Sequence, residues 1–72
     1  MAGRRKLTDG DVIIHKSLGE MTVRVEVSGR WCCEKDGRLA TSPVISEREL
    51  HLLLNRLTRQ PAPSYAFKGD RQ

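Results

Sequence analysis

The sequence predicts an α+β fold, a small antiparallel β-meander of three to four strands with one C-terminal helix packed on one face. Residues 20–27 alternate strictly between apolar and polar side chains, which is the period of a half-buried strand. Two three-residue stretches that end in glycine, 27–29 and 35–37, follow and are typical of hairpin turns. Leucines in residues 50–57 then recur with the spacing of an amphipathic helix.

The length of the chain limits it to a single domain. Seventy-two residues bury only a thin core. We expect a flexible basic N-terminal tail in residues 1–10, one α+β domain in residues 11–60, and a C-terminal tail rich in proline and aromatic residues in 61–72. No apolar stretch has the length of a secretory signal or a membrane span. The sequence therefore favours a cytoplasmic protein without a membrane contact.

The first two strands are predicted at residues 12–15 and 20–27. In the first, Ile14 is assigned to the core. In the second, the inward side carries Met21, Val23 and Val25 because alternate residues of a strand face the same way. A turn at residues 16–19 joins the two strands.

Both glycine-ended stretches fit a three-residue loop with a left-handed glycine bulge. This loop pairs Val25 with Trp31 in the first hairpin and Cys33 with Leu39 in the second, and it places all four side chains on one face. The alternative for the second turn is a two-residue Asp36-Gly37 loop, which moves Leu39 to the other face.

The helix begins with a capping box, in which Ser46 is the N-cap and Glu49 stands three residues later. Ile45 and Leu50 occupy the hydrophobic-staple positions, and Pro61 ends the helix near residue 60. The predicted core of the whole domain is Ile14, Met21, Val23, Val25, Trp31, Cys33, Leu39, Ile45, Leu50, Leu53, Leu54 and Leu57.

The sequence indicates neither a metal site nor catalysis. The neighbouring Cys32 and Cys33 would point to opposite faces of a strand, so they could not turn toward one ion. Cys32 is expected to be a surface thiol whose pKa nearby arginines could lower. Neither His15 nor His51 stands in a pattern typical of a base beside a nucleophile, and a chain this short is not expected to form a deep pocket. We expect a non-enzymatic protein with no cofactor and no small-molecule substrate.

The formal net charge is +4, from 13 Lys and Arg against 9 Asp and Glu. Residues 11–45 hold as many acidic as basic side chains, so the excess lies at the two ends and on the helix. At 100° per residue, a basic face with one apolar residue lies opposite the leucine stripe. Its members are Arg48, Leu52, Asn55, Arg56 and Arg59.

This face supports two hypotheses for function. In the first, the protein is a small regulatory binding module, and Leu52 is an apolar anchor, rimmed by arginines, for a protein partner or a second copy of the chain. In the alternative, the same arginines contact phosphate or guanine of a nucleic acid and Asn55 contacts adenine. The basic residues Arg4, Arg5 and Lys6 would then add sequence-independent affinity.

The order of elements, a three-stranded meander followed by a helix, resembles that of small DNA-binding modules such as the arm-site domains of phage and transposon integrases. The resemblance implies that the outer sheet face would read DNA. Here that face alternates Arg with Glu and carries little net charge. In the C-terminal segment, Tyr65 and Phe67 alternate, so this segment either adds to a sheet edge or folds back over the core.

Overall fold

In the computed structural model, which describes residues 5–59 and 63–69, a five-stranded antiparallel sheet carries one helix on one face. The elements in chain order are β1 (Val12–His15), β2 (Gly19–Val25), β3 (Trp31–Lys35), β4 (Arg38–Leu39), α1 (Glu47–Arg56) and β5 (Tyr65–Phe67). The strands lie in the order β4-β3-β2-β1-β5. The predicted α+β class is confirmed, with a fifth strand added at the edge beside β1.

The hairpin between β2 and β3 has the predicted register, with Val25 opposite Trp31 and Val23 opposite Cys33. The N–H of Gly29 donates to the carbonyl of Glu26 at 2.8 Å, and Gly29 has a φ of 92°. A left-handed residue at this position closes the three-residue loop, and glycine adopts that conformation without a steric cost.

The predicted register of the second hairpin is wrong, because β3 and β4 pair Lys35 with Arg38 and Glu34 with Leu39. Asp36 and Gly37 form a two-residue loop in which both φ angles are positive, 54° and 77°. Two positive φ angles are typical of a type I′ turn, whose twist matches that of the strands it joins. Leu39 therefore lies on the outer face and is 55% exposed.

After β4 the chain forms a β-bulge against Cys33. The N–H groups of Ala40 and Thr41 both donate to the carbonyl of Cys33, at 2.8 and 3.3 Å. The N–H of Cys33 in turn donates to the hydroxyl of Thr41 at 3.0 Å. The chain rejoins β3 where Val44 and Trp31 exchange two backbone hydrogen bonds. This bridge fixes the entry to α1.

The side chains of β1 point the opposite way to the prediction. Ile13 is fully buried and Ile14 is 47% exposed, because His15 takes the inward position two residues after Ile13. The Nδ1 atom of His15 accepts hydrogen bonds from the N–H groups of Ser17 and Leu18, at 3.0 and 3.1 Å. These bonds supply the partners that a buried imidazole needs.

Two further predicted core residues are also exposed. Ile45 is 80% exposed because Val44 packs against the core, and adjacent residues of an extended segment point in opposite directions. The hydrophobic staple is therefore absent. Leu57 is 40% exposed because α1 ends at Arg56. The buried apolar cluster consists of Leu7, Ile13, Met21, Val23, Cys33, Leu50 and Leu54.

The predicted N-cap of α1 is confirmed: the hydroxyl of Ser46 accepts a hydrogen bond from the N–H of Glu49 at 3.1 Å. At the other end, the N–H of Leu57 donates to the carbonyls of Leu53 and Leu54. The helix therefore ends before the limit set by Pro61, which lies outside the described residues.

Both chain segments that we expected to be tails pack on the sheet where the structure describes them. Leu7 is 1% exposed, and its N–H donates to a carboxylate oxygen of Glu47 at 2.8 Å. In the C-terminal segment, Phe67 pairs with Ile13 and Tyr65 pairs with His15. β5 thus extends the chain's own sheet and also covers part of the core, so the two alternatives for this segment occur together.

Candidate functional site

The outward side of α1 carries uncompensated positive charge. Arg48 and Arg56 are exposed one turn before and one turn after Leu52, and Arg59 is exposed just beyond the helix. Among the described residues, no hydrogen bond or ion pair joins any of these three arginines to another side chain. We call Arg48, Leu52, Arg56 and Arg59 the arginine face.

The apolar part of this surface differs from the expectation. Leu52 is half-buried rather than fully exposed. Ile45 instead presents a large apolar side chain at the N-terminal end of the helix, three residues before Arg48. An exposed isoleucine together with charged residues is more typical of a small protein-binding patch than of a surface that binds phosphate.

Asn55, which we expected to share this face, is turned toward β5. Its Oδ1 accepts a hydrogen bond from the hydroxyl of Ser64 at 2.7 Å, and its Nδ2 lies 3.3 Å from Nε2 of His51. Ser64 is buried at 2% exposure. The structure therefore groups Asn55 with Ser64 and His51 and gives its amide a role within the fold.

The network continues to β5. Nδ1 of His51 lies 3.0 Å from the hydroxyl of Tyr65. The two rings are arranged edge to face, with their centroids 5.8 Å apart. Because Nδ2 of Asn55 donates to Nε2 of His51, the ring proton belongs on Nδ1, where it donates to Tyr65. The ordered chain Ser64–Asn55–His51–Tyr65 joins the helix to the edge strand.

The three N-terminal basic residues have different positions. Arg4 lies outside the described residues, and Lys6 is exposed. The guanidinium of Arg5 stands 4.0 Å above the ring centroid of Phe67 and lies 3.4 Å from a carboxylate oxygen of Asp11. A cation at this distance over an aromatic face is attracted by the negative face of the ring.

Between α1 and β5 lies an open cleft of about 400 Å³. Its size is within the range of small-molecule sites. The side chains that line it are aromatic, neutral or basic, and none is acidic: Arg5, His51, Asn55, Pro63, Ser64, Tyr65 and Phe67.

The outer face of the sheet carries paired charges. Arg24 lies 3.4 Å from Glu34, and Lys68 lies 3.1 Å from Glu20. Exposed pairs of this kind contribute little to stability, but they cancel the local field. Charge on this face therefore offers less attraction to a polyanion than the arginine face does.

Both thiols are buried, and the expectation of a surface Cys32 is wrong. Burial raises the pKa of the Cys32 thiol, Glu26 and Glu34 raise it further, and Arg24 opposes them. Burial followed by the neighbouring Cys32 raises the pKa of Cys33 to about 11, against a lowering effect of its hydrogen bond with Thr41. Both groups are thus poor nucleophiles at neutral pH.

Within residues 5–59 and 63–69, no cluster of three or more His, Cys, Asp or Glu could hold a metal ion. The described part of the chain also has no helix with the length and apolar character needed to cross a membrane. Comparison of the chain with protein-family models, curated proteins and solved structures finds no match. Its function is therefore inferred from the site itself.

Sequence reasoning missed the cleft. The one available signal is that His51 and Asn55 are four residues apart and so share a flank of the helix. Nothing local indicates that Tyr65 and Phe67 would meet this flank, or that Arg5 would lie over Phe67. The cleft exists because three segments that are distant in sequence pack together.

Proposed function

We propose that this chain is a small non-enzymatic binding module that engages an acidic segment of a protein partner through the arginine face. The observation that carries the proposal is the 80% exposure of Ile45, three residues before Arg48 in the chain, together with exposed arginines on α1 that have no acidic partner among the described residues. An acidic segment with an apolar residue would satisfy both features, because the arginines bind its carboxylates and Ile45 buries its apolar group.

The positive charge of the arginine face favours a different molecule, rather than a second copy of the chain, as the partner. A two-fold symmetric dimer brings the same patch of both subunits together. The arginines of one copy would then face the arginines of the other, and like charges at close range oppose association.

Two observations favour a protein over the nucleic-acid alternative. Asn55, the residue expected to read adenine, has its amide bonded within the fold. Arg5 is placed against Phe67 and Asp11. Arg5, one of the N-terminal residues expected to add affinity for phosphate, is therefore engaged within the fold, and each phosphate contact that is lost lowers the affinity for nucleic acid.

The proposal is tested by selecting a displayed library of random twelve-residue peptides on the chain, with counter-selection on the R48E/R56E variant. We expect the enriched peptides to be rich in Asp and Glu with an apolar residue. The matched control is R30E/R38E, which changes the net charge equally at two exposed arginines beside the hairpin turns.

Binding of the enriched peptides, measured by fluorescence anisotropy, is expected to be lost in R48E/R56E and kept in R30E/R38E. Ile45→Ser should weaken it by about tenfold, the cost of one lost apolar anchor. Equal loss in both charge-reversal variants would reject the arginine face as the site. Binding of a random duplex DNA that requires Arg48 and Arg56 and falls steeply with salt, without peptide enrichment, would support the alternative.

A further inference from the structure

We propose that the acidic segment bound by the arginine face is an amphipathic helix that lies along α1, with two carboxylates about two turns apart and an apolar side chain between them. This proposal rests on the proposed function and adds the conformation of the partner and the spacing of its side chains. It is based on three properties of the arginine face, namely the row that its side chains form, the distance between its charges and the hydrogen-bond donors that it carries.

Three side chains of the arginine face form one row along α1. Arg48, Leu52 and Arg56 are four residues apart, and side chains at this spacing are neighbours on the surface of a helix. Rows of this kind are the ridges that pack into the grooves of a second helix. Arg48 and Arg56 are exposed, and neither forms a hydrogen bond or ion pair with another described side chain. The row is therefore a ridge against which a second helix can pack.

The distance between the charges sets the spacing of the carboxylates. Arg48 and Arg56 are eight residues apart, which is about 12 Å along the helix axis. In a partner helix, carboxylates seven residues apart are separated by about 10.5 Å and lie on the same face. An apolar residue three or four positions after the first carboxylate then faces Leu52. Ile45, which is 80% exposed three residues before Arg48, offers a second apolar contact to a helix that extends beyond the row.

The polar groups of the arginine face favour a helix over an extended segment. Arginine side chains only donate hydrogen bonds, and Leu52 has no polar side-chain atom. An extended segment on this face would find donors for its carbonyls but no side-chain acceptor for its N–H groups. A helix pairs those groups within itself and presents only side chains to the arginines.

Three alanine-rich peptides of about sixteen residues, a length at which such helices begin to form in water, test this proposal. The first carries two glutamates seven residues apart and a leucine four residues after the first glutamate. The second has the same composition, but its glutamates are nine residues apart and lie on opposite faces of a helix. The third is the first peptide with a proline beside the leucine, which keeps both charges and the leucine but breaks the helix.

Fluorescence anisotropy measures the affinity of each peptide, and far-ultraviolet circular dichroism measures its helicity after the spectrum of the free chain is subtracted. We expect the first peptide to bind about tenfold more tightly than the other two and to gain helical signal when it binds. Its binding should be lost in R48E/R56E and kept in R30E/R38E, the control that changes the net charge equally.

Two results would overturn the helical partner and leave the proposed function standing. One is equal affinity of the three peptides, with all binding lost in R48E/R56E. The other is tighter binding of the first peptide without a gain of helical signal. An equal loss of affinity in R48E/R56E and R30E/R38E would instead overturn the helical partner and the proposed function together.

Discussion

The Nε2 atom of His15 lies 2.8 Å from the carbonyl oxygen of Leu54 and joins β1 to the last part of α1. Nδ1 of the same ring accepts two backbone N–H groups, so the ring proton is on Nε2 and donates to Leu54. One buried imidazole therefore satisfies three backbone groups from two separate segments.

The first prediction concerns this ring. His15→Ala should lower the free energy of unfolding by about 3 kcal/mol, because it removes three hydrogen bonds between the ring and the backbone and creates a cavity. Urea unfolding followed by the fluorescence of Trp31, the one tryptophan in the chain, measures the change. Ser17→Ala, at an exposed side chain of the same turn, is the control and should stay within about 0.5 kcal/mol. A loss below about 1 kcal/mol in His15→Ala would contradict the role of the ring.

The second prediction compares two neighbouring isoleucines of β1. Ile13→Ala should cost about 3 kcal/mol because its side chain is fully buried, whereas Ile14→Ala should cost less than about 1 kcal/mol because its side chain is half exposed. The two variants remove the same atoms from adjacent positions, so each is the control for the other in the same urea experiment. If Ile14→Ala lowered the free energy of unfolding more than Ile13→Ala does, the side chains of β1 would face the way the sequence predicts.

The third prediction concerns the N-terminal segment. Leu7→Ala should lower the free energy of unfolding by about 2 kcal/mol, since Leu7 belongs to the buried cluster. Lys6→Ala, next to it and exposed, should have an effect within about 0.5 kcal/mol. If both variants unfold at the urea concentration of the wild type, the segment does not pack on the domain in solution.

The fourth prediction concerns pH and Cys33. The unfolded thiol has an ordinary pKa of 9.0, and burial raises the pKa of the folded thiol to about 11. Between these values the folded state holds a proton that the unfolded state has released, so the contribution of this thiol to stability is complete below about pH 9 and falls as the pH rises toward 11.

Urea midpoints at about pH 8 and about pH 10.5 measure this decline, which should be smaller in Cys33→Ala than in the wild type. The variant's lower absolute stability does not affect the comparison, because only the difference between the two pH values is used. An equally steep decline in the variant would assign the alkaline sensitivity to other groups.

The parts of the fold that the sequence predicts well depend on contacts close along the chain. The β2–β3 hairpin follows from strict alternation and a glycine at the left-handed position of its loop. The start of α1 follows from Ser46 and Glu49, and the exposure of Arg48 and Arg56 follows from helical spacing. In each case, residues within a few positions of one another determine the structure.

The parts that were not predicted depend on distant contacts. In β1, both faces offer an isoleucine, and the face that is buried is the one on which His15 bonds the carbonyl of Leu54 and Ile13 joins the apolar cluster. The sequence of the turn between β3 and β4 fits a loop of two or of three residues. The two-residue loop is compatible with the path of the chain into α1 because of the bulge at Ala40 and Thr41. The cleft was missed for the same reason, since Arg5, His51 and Tyr65 come from three separate segments.

The attachment of β5 has a consequence for local opening of the fold. This edge strand is held by three residue pairs with β1 and by side-chain hydrogen bonds to α1, whereas β2 lies between two strands. Short edge elements open with a smaller free energy than central strands do. Amide hydrogen exchange in residues 65–67 should therefore be faster than in β2. Because Tyr65 and Phe67 of β5 line the cleft, the cleft exists only while this strand is paired with β1.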